Sequence, residues 1–286
     1  MPSSPYTDLE RPPLPARALQ RALLLPGGLW QRLDVLAETG STNADVAEAA
    51  RSGAAEGLIV VAEQQVSGRG RRDRQWVSPP RAGLTLSVLL RPGLADEARG
   101  WPAAPQRSWG WVPLLAGVAL LETVERLAEV DASLKWPNDL LLGTEQGEAK
   151  AAGILAEVVD DAVVLGIGLN VTTRPDELPP ERPSTSLRAA GAKTADRDPL
   201  LRSLLRGVAQ WYAGWREAAG DAEMCGLLAA YQRGCSTIGR EVRVLLPHGA
   251  EITGTATTVD SDGQLVVVGA DGAERRVSAG DVLHVR

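Results

Sequence analysis

Ten consecutive residues, Ser67 to Trp76 (SGRGRRDRQW), set four arginines (Arg69, Arg71, Arg72, Arg74) among two glycines directly after an apolar run. Glycine lets a phosphate approach the backbone, and the arginine fork donates paired hydrogen bonds to phosphoryl or carboxylate oxygens. A nucleotide or an acyl adenylate suits these groups, and an exposed basic loop is the alternative on composition alone. The loop lacks the GK[ST] ending of a Walker A loop and the spacing of a dinucleotide fingerprint. Further along, Lys135-Trp136-Pro137-Asn138-Asp139 packs a cation, an amide and a carboxylate into five residues, and Lys150 opens the segment KAAGIL.

Residue usage sharpens the contrast. Only three of the 30 basic residues are lysine (Lys135, Lys150, Lys193), and the only asparagines are Asn43, Asn138 and Asn170. A lone lysine at a strand end is ordinary edge protection. Here all three asparagines and two of the three lysines fall within the short segments GSTN (Gly40 to Asn43), KWPND, KAAGIL and GIGLN (Gly166 to Asn170).

The elements that must carry these segments follow from periodicity. Alternation at Leu33, Val35 and Ala37 predicts a strand ending at Gly40, after which Ser41 or Thr42 caps a helix running to Ala50. GLIVVAE (Gly57 to Glu63) and LTLSVLL (Leu84 to Leu90) predict two strands, with the arginine loop between them. Apolar residues at helical spacing predict a helix from Trp111 to Val130. Short strands around Leu134 to Trp136 and Asp139 to Leu142 precede a hairpin of Ala151 to Val158 with Ala162 to Asn170. A polar, proline-rich stretch leads to helices over about 198–218 and 221–233. Strands that pair with their sequence neighbours argue for an α+β fold with a largely antiparallel sheet.

From Ser236 onward the texture changes to five short strands separated by turns such as Ser261-Asp262-Gly263 and Asp271-Gly272, which predicts a small SH3-like β-barrel. The expected organisation is an extended proline-rich arm over 1–28, a catalytic domain over 29–234 and the small domain over 235–286, joined by a modest interface.

Composition excludes several function classes. The net charge is −6, so bulk electrostatics do not favour DNA or RNA. Two cysteines, Cys225 and Cys235, supply no disulfide framework, and two histidines, His248 and His284, argue against a histidine-based triad. Neither a secretory signal nor an 18-residue apolar run is visible, which places the chain in the cytosol and away from a membrane.

Taken together and in order, GSTN, QVSGRGRRDRQW (Gln65 to Trp76), KWPND, KAAGIL and GIGLN resemble the biotin protein ligase family. The resemblance covers about residues 30–286. It implies a catalytic domain related to class II aminoacyl-tRNA synthetases, with a seven-stranded mixed sheet. It also implies a reaction in which biotin and ATP, with Mg2+ carried mainly on the phosphates, give biotinyl-5'-AMP and pyrophosphate. A lysine of a biotin carboxyl carrier protein then takes the biotinyl group. The chain resembles the monofunctional class without an N-terminal DNA-binding domain, and a homodimer through the central sheet is compatible with the family.

Residue by residue, the resemblance assigns Ser41, Thr42, Asn43 and Gln65 to the biotin head group, with Arg69, Gly70, Arg71, Lys150 and Gly153 completing the biotin site. Arg71, Arg72, Arg74, Trp76, Lys135, Asn138 and Asn170 fall to ATP and the adenylate, Trp76 at the adenine end. Lys150, Arg69 and Asp139 are the expected catalytic residues, Asp139 positioning magnesium or the incoming lysine. One departure stands out: Asp73 occupies a position where the family usually has glycine, so the turn must tolerate a side chain. Asp281 and Arg286 lie near positions that meet the nucleotide in some relatives. Lipoate ligase is the nearest alternative, but its histidine-containing motif is absent. A biotin-sensing regulator or a nucleic-acid module would need a DNA-reading element or interleaved aromatics.

Overall fold

The computed structural model describes residues 11–285 apart from 73, 181 and 248. Two sheets organise the chain. Strands β1 (Arg32–Leu36), β2 (Leu58–Ala62), β3 (Gly83–Leu90), β4 (Ala132–Lys135), β5 (Asp139–Thr144), β6 (Gly147–Val159) and β7 (Ala162–Asn170) form the first, in the order β1-β2-β3-β7-β6-β5-β4. Only β1 and β2 run parallel; the other pairs are antiparallel, giving the mixed sheet that the resemblance implied.

Both faces of this sheet are occupied, and the strand period of two decides what lies on each. Leu84, Leu86 and Val88 of β3, with Ile154 of β6 and Ile167 and Leu169 of β7, turn toward helices α3 (Trp111–Ala128) and α4 (Arg197–Glu217) and join the main core. The alternate positions face the other way: Thr85 and Ser87, Gly153 and Leu155, Gly166 and Gly168. Helix α2 (Thr42–Arg51) covers part of that second face, where Val46, Ala47 and Ala50 pack on Leu58, Val60, Leu89 and Val164. The uncovered remainder holds the glycines.

The helices obey local rules. Helix α4 starts at Asp196, whose side chain accepts from the Asp198 amide, and its buried Leu200, Leu201, Leu204, Leu205, Val208, Tyr212 and Trp215 make one apolar stripe. Pro113 stands in the first turn of α3, where its missing N–H costs nothing.

Three expectations need correction. The arm over 1–28 is not extended throughout: residues 1–10 lie outside the described residues, but α1 (Ala16–Leu23) is a helix that buries Leu19 and Leu23. Pro15 sits at its N-cap, so the prolines precede the helix and do not interrupt it. The last helix, α5, is confined to Leu227–Gly234 because Gly226 takes a left-handed backbone (φ 77) and the Asp221 carboxylate holds the amides of Glu223 and Met224 in a turn.

The third correction concerns the C-terminal part. Strands β8 (Glu241–Leu245), β9 (Glu251–Val259), β10 (Leu265–Val268), β11 (Glu274–Val277) and β12 (Asp281–His284) form an antiparallel sheet in the order β11-β10-β9-β8-β12. No ladder joins β11 to β12 among the described residues, so hydrogen bonding does not close a barrel. Nor is the interface modest. Val244, Ala256, Leu265 and Val282 belong to the same apolar cluster as Trp111, Leu134 and Trp136. The indole N–H groups of Trp111 and Trp136 donate to the carbonyls of Ser261 (2.6 Å) and Gly263 (3.1 Å), anchoring the β9–β10 turn in the larger unit.

At the junction, Arg240 forms a two-pronged pair with Glu148 (2.6 and 2.8 Å) and also donates to Nδ1 of His284 at 3.0 Å. Arginine only donates, so His284 accepts at Nδ1 and carries its proton on Nε2, which faces the Thr237 hydroxyl at 3.1 Å. Burial, then the charges of Lys135 and Arg240, lower the imidazole to about 4 against the pull of Glu148. The folded state thus favours neutral His284, and its contribution is complete above the ordinary value of 6.5 and lost as pH falls from there toward 4. His284→Gln, which keeps an acceptor for Arg240 and a donor for Thr237, is expected to flatten the fall in denaturation midpoint across that window. Parallel wild-type and variant curves would assign the acid sensitivity elsewhere.

Candidate active site on the glycine-floored sheet face

The open part of the second sheet face is the floor of a cleft of about 1380 Å3. Its floor is a row of paired residues across three strands, Thr85, Gly168 and Gly153, flanked by Asp139 of β5. The Trp76 indole lies on the two glycines. A Cβ at Gly168 would stand 2.4 Å from the ring and one at Gly153 3.3 Å from it. Trp76 therefore lies over the middle of the floor, and its buried Nε1 has no hydrogen-bond partner among the described residues.

One end of the cleft is polar and uncharged. Ser41 occupies the N-cap position of α2, yet its hydroxyl makes no capping bond. Gln65 caps the helix instead, its Oε1 accepting from the Thr42 amide at 2.8 Å and the Thr42 hydroxyl at 3.0 Å. Behind them Ser87, fully buried, reaches the Thr42 hydroxyl at 2.7 Å and Oδ1 of Asn43 at 2.6 Å. Hydroxyl and amide groups held this way match a neutral ligand with both donors and acceptors.

The other end is cationic. Lys150 donates to Oδ1 of Asp139 at 2.6 Å, and both side chains are largely buried. A register shift in the β5–β6 ladder between Leu140 and Leu141 brings Lys150 opposite Leu141. Lys135 stands nearby, its ammonium lowered chiefly by burial and by the Lys150 charge, with Asp139 opposing. Asn138 clasps β6: its backbone carbonyl accepts from the Ile154 amide at 2.9 Å and its Nδ2 donates to the Ile154 carbonyl at 3.0 Å.

The arginine loop is a small closed turn. The Gly70 amide donates to Arg74, the Trp76 amide to Gly68, and Arg69 pairs with Gln75. Gly68 is required, since a Cβ there would meet the Trp76 carbonyl at 2.3 Å. Arg71 reaches across to Oδ1 of Asn138 (3.0 Å) and the Gly280 carbonyl (3.2 Å), and burial lowers its guanidinium despite Asp281 and Asp139. Arg72 donates to the Leu245 carbonyl, and both Arg72 and Arg74 pair with Asp281. The loop is thereby tied to the C-terminal sheet.

The fold brings nearly all of the expected residues to this one cleft: Ser41, Thr42, Asn43, Gln65, Arg69, Gly70, Arg71, Arg74, Trp76, Lys135, Asn138, Asp139, Lys150, Gly153 and Asn170 line it. Arg72 does not, and its left-handed backbone (φ 53) turns it toward the C-terminal sheet. Asp73 and Arg286 lie outside the described residues. Asp139 meets Lys150 directly, and Asn170 uses its amide to hold the Thr185 carbonyl at 3.0 Å.

Sequence reasoning missed Ser87 behind the polar end, and it missed His284 and the wall made by residues 176–179 and 182–184, which lies in a stretch read only as polar and proline-rich. That wall is fastened where the Lys150 amide donates to Pro183 and where Arg11 pairs with Glu177 at 2.6 Å. Among the described residues no group of three His, Cys, Asp or Glu is placed to hold a metal ion, and no described helix is long and apolar enough to cross a membrane.

Comparison with known proteins agrees with this geometry. Residues 36–172 match the Biotin/lipoate A/B protein ligase family and residues 237–285 the Biotin protein ligase C terminal domain. The chain is 42% identical over 283 residues to a biotin--[acetyl-CoA-carboxylase] ligase of Mycobacterium tuberculosis, covering 98% of each. It is 31% identical to the bifunctional ligase/repressor BirA of Bacillus subtilis, of which it spans 71%. Among solved structures, a biotin protein ligase from Aquifex aeolicus in complex with biotin and ATP superposes with a TM-score of 0.71 at 27% identity, covering 90% of this chain and 100% of that one. A cleft with a neutral polar end and a cationic end, on a sheet of this topology, and near full-length similarity to one such enzyme place the chain in the biotin protein ligase family.

Proposed function

We propose that the chain activates biotin with ATP and transfers it to a lysine of a biotin carboxyl carrier domain of acetyl-CoA carboxylase or a related enzyme, in the cytosol. The observation that carries this reading is the continuity of the cleft: a neutral hydrogen-bonding end and a cationic end share one space larger than a single small ligand needs. The catalytic unit is read as residues 29–234 and the C-terminal unit as 235–286. A homodimer through the seven-stranded sheet belongs to the same reading.

Ser41, Thr42, Asn43 and Gln65 take the ureido ring, with Trp76 as an apolar plate beneath the ligand. Arg69, Gly70 and Arg71 take the carboxylate and the phosphate joined to it, and Lys135, Asn138, Asn170 and Arg74 line the nucleotide side. Magnesium enters with the ATP phosphates. A biotin carboxylate oxygen attacks the α-phosphorus as the bond to pyrophosphate breaks. The carrier amine then attacks the acyl carbon, AMP leaves, and the amine loses a proton. Lys150 neutralises the charge that accumulates between carboxylate and phosphate, and Asp139 holds its ammonium in place.

The direct test is incubation with labelled biotin, ATP-Mg and a biotin carboxyl carrier domain, with lipoate as control. Label on the carrier lysine and none from lipoate is expected. Lys150→Ala is expected to slow biotin-dependent pyrophosphate exchange by about 100 to 1,000-fold, the usual cost of one such electrostatic group. Lys193→Ala, which removes only an exposed pair with Glu129, should exchange at the wild-type rate. Exchange by Lys150→Ala at full rate would sink its assignment.

Arg71 ties the loop to Asn138 and Gly280 across the cleft, so it closes the site more than it drives the chemistry. Arg71→Gly is expected to form the adenylate but release it faster, labelling bystander lysines. An unchanged off-rate in a trapping assay would contradict this.

A further inference from the structure

Behind the polar end of the cleft stands a carboxylate that does not itself line it. Glu157 of β6 points to the same face as Leu155 and Gly153, and its Oε2 accepts from Nδ2 of Asn43 at 2.6 Å. The second Nδ2 hydrogen faces the Leu155 carbonyl at 3.4 Å. At the other end of the same amide, Oδ1 accepts from Ser87 at 2.6 Å and lies over Gly166, where a Cβ would stand 2.1 Å from it. Ser87 and Gly166 are direct cross-strand partners, so the amide rests on bare backbone between a donor and an acceptor.

An asparagine amide offers a donor at one end and an acceptor at the other, and a half-turn of the side chain exchanges them. An ionised carboxylate only accepts. Its contact with Asn43 therefore fixes which end is which. We propose that Glu157 is a positioning residue for biotin recognition: it holds the Asn43 amide with Nδ2 turned away from the cleft, so that the free lone pair of Oδ1 is offered to a ureido N–H. The inference rests on Asn43 belonging to the biotin end of the site. It adds a residue and a polarity to that reading. Without the carboxylate, only the longer contact with the Leu155 carbonyl opposes an amide that presents Nδ2 to the ligand, donor against donor.

The reciprocal exchange tests this on the full chain. Biotin affinity is measured by calorimetry without ATP, alongside KM for biotin, kcat and melting temperature. Glu157→Ala is expected to weaken biotin about tenfold, the scale of coupling between contacting residues, with kcat at saturating biotin unchanged. Asn43→Asp alone sets two carboxylates against each other and should bind poorly. Asn43→Asp combined with Glu157→Gln restores one donor, one acceptor and a single negative charge, and still offers an oxygen to the cleft. It is expected to regain most of the lost affinity.

Equal biotin affinity in Glu157→Ala and wild type would overturn the proposal. So would a double variant that binds no better than Asn43→Asp, a comparison that holds even where Glu157→Ala fails to fold. A loss confined to melting temperature, with KM unmoved, would likewise reduce the contact to packing. Failure of the unaltered chain to bind biotin would overturn both the proposal and the site assignment beneath it, a result visible before any variant is made.

Discussion

The site depends on the absence of a Cβ at Gly153, Gly166 and Gly168. These positions sit on two adjacent, centrally placed strands, where a side chain would ordinarily pack against a covering helix. Leaving them bare exposes backbone in mid-sheet, which weakens a strand. The vacated space is taken by Trp76 over the Gly153–Gly168 pair and by the Asn43 amide over Gly166. Cleft-lining groups thus lie within contact distance of the strand backbone instead of at the ends of flexible chains. The neighbouring core residues on the opposite face, Ile154, Ile167 and Leu169, keep the strands from moving in response.

Charge at the other end of the cleft is managed by pairing. Lys150 with Asp139, and Arg72 and Arg74 with Asp281, satisfy these cations within the protein. Asp139 and Asp281 both line the cleft beside Lys150 and Arg74. Burial of Arg71 and Lys135 disfavours their charged forms, so a ligand anion gains more from them than it would from exposed groups. The C-terminal sheet takes part in this balance through Asp281 and the Gly280 and Leu245 carbonyls. Its attachment is built like an interior, with two indole donors to the β9–β10 turn and a shared apolar cluster.

Much of this was legible in the chain. The strand and helix positions followed from periods of two and 3.6, because burial on one face or two imposes those periods wherever an element packs. GSTN, the arginine loop, KWPND, KAAGIL and GIGLN were recognised by their resemblance, in order, to the biotin protein ligase family, and four of these segments hold all three asparagines and two of the three lysines. The α1 helix was hidden by the prolines before it, and its formation owes to Leu19 and Leu23 finding the core.

Tertiary structure alone decided which partners those residues have. No local spacing connects Asn43 to Glu157, Thr42 to Gln65, or Arg74 to Asp281, which are brought together by strand order and by the seating of one sheet on the other. Ser87 reads as one polar residue in an apolar strand, and its meaning arises only when β3 lies beside β7 and under α2. The sequence by itself determined the chemistry on offer, because residue type sets donors, acceptors and charge. The direction in which each group is offered is a property of long-range packing, since an amide, a hydroxyl or a guanidinium is oriented by the neighbours that saturate its other bonds.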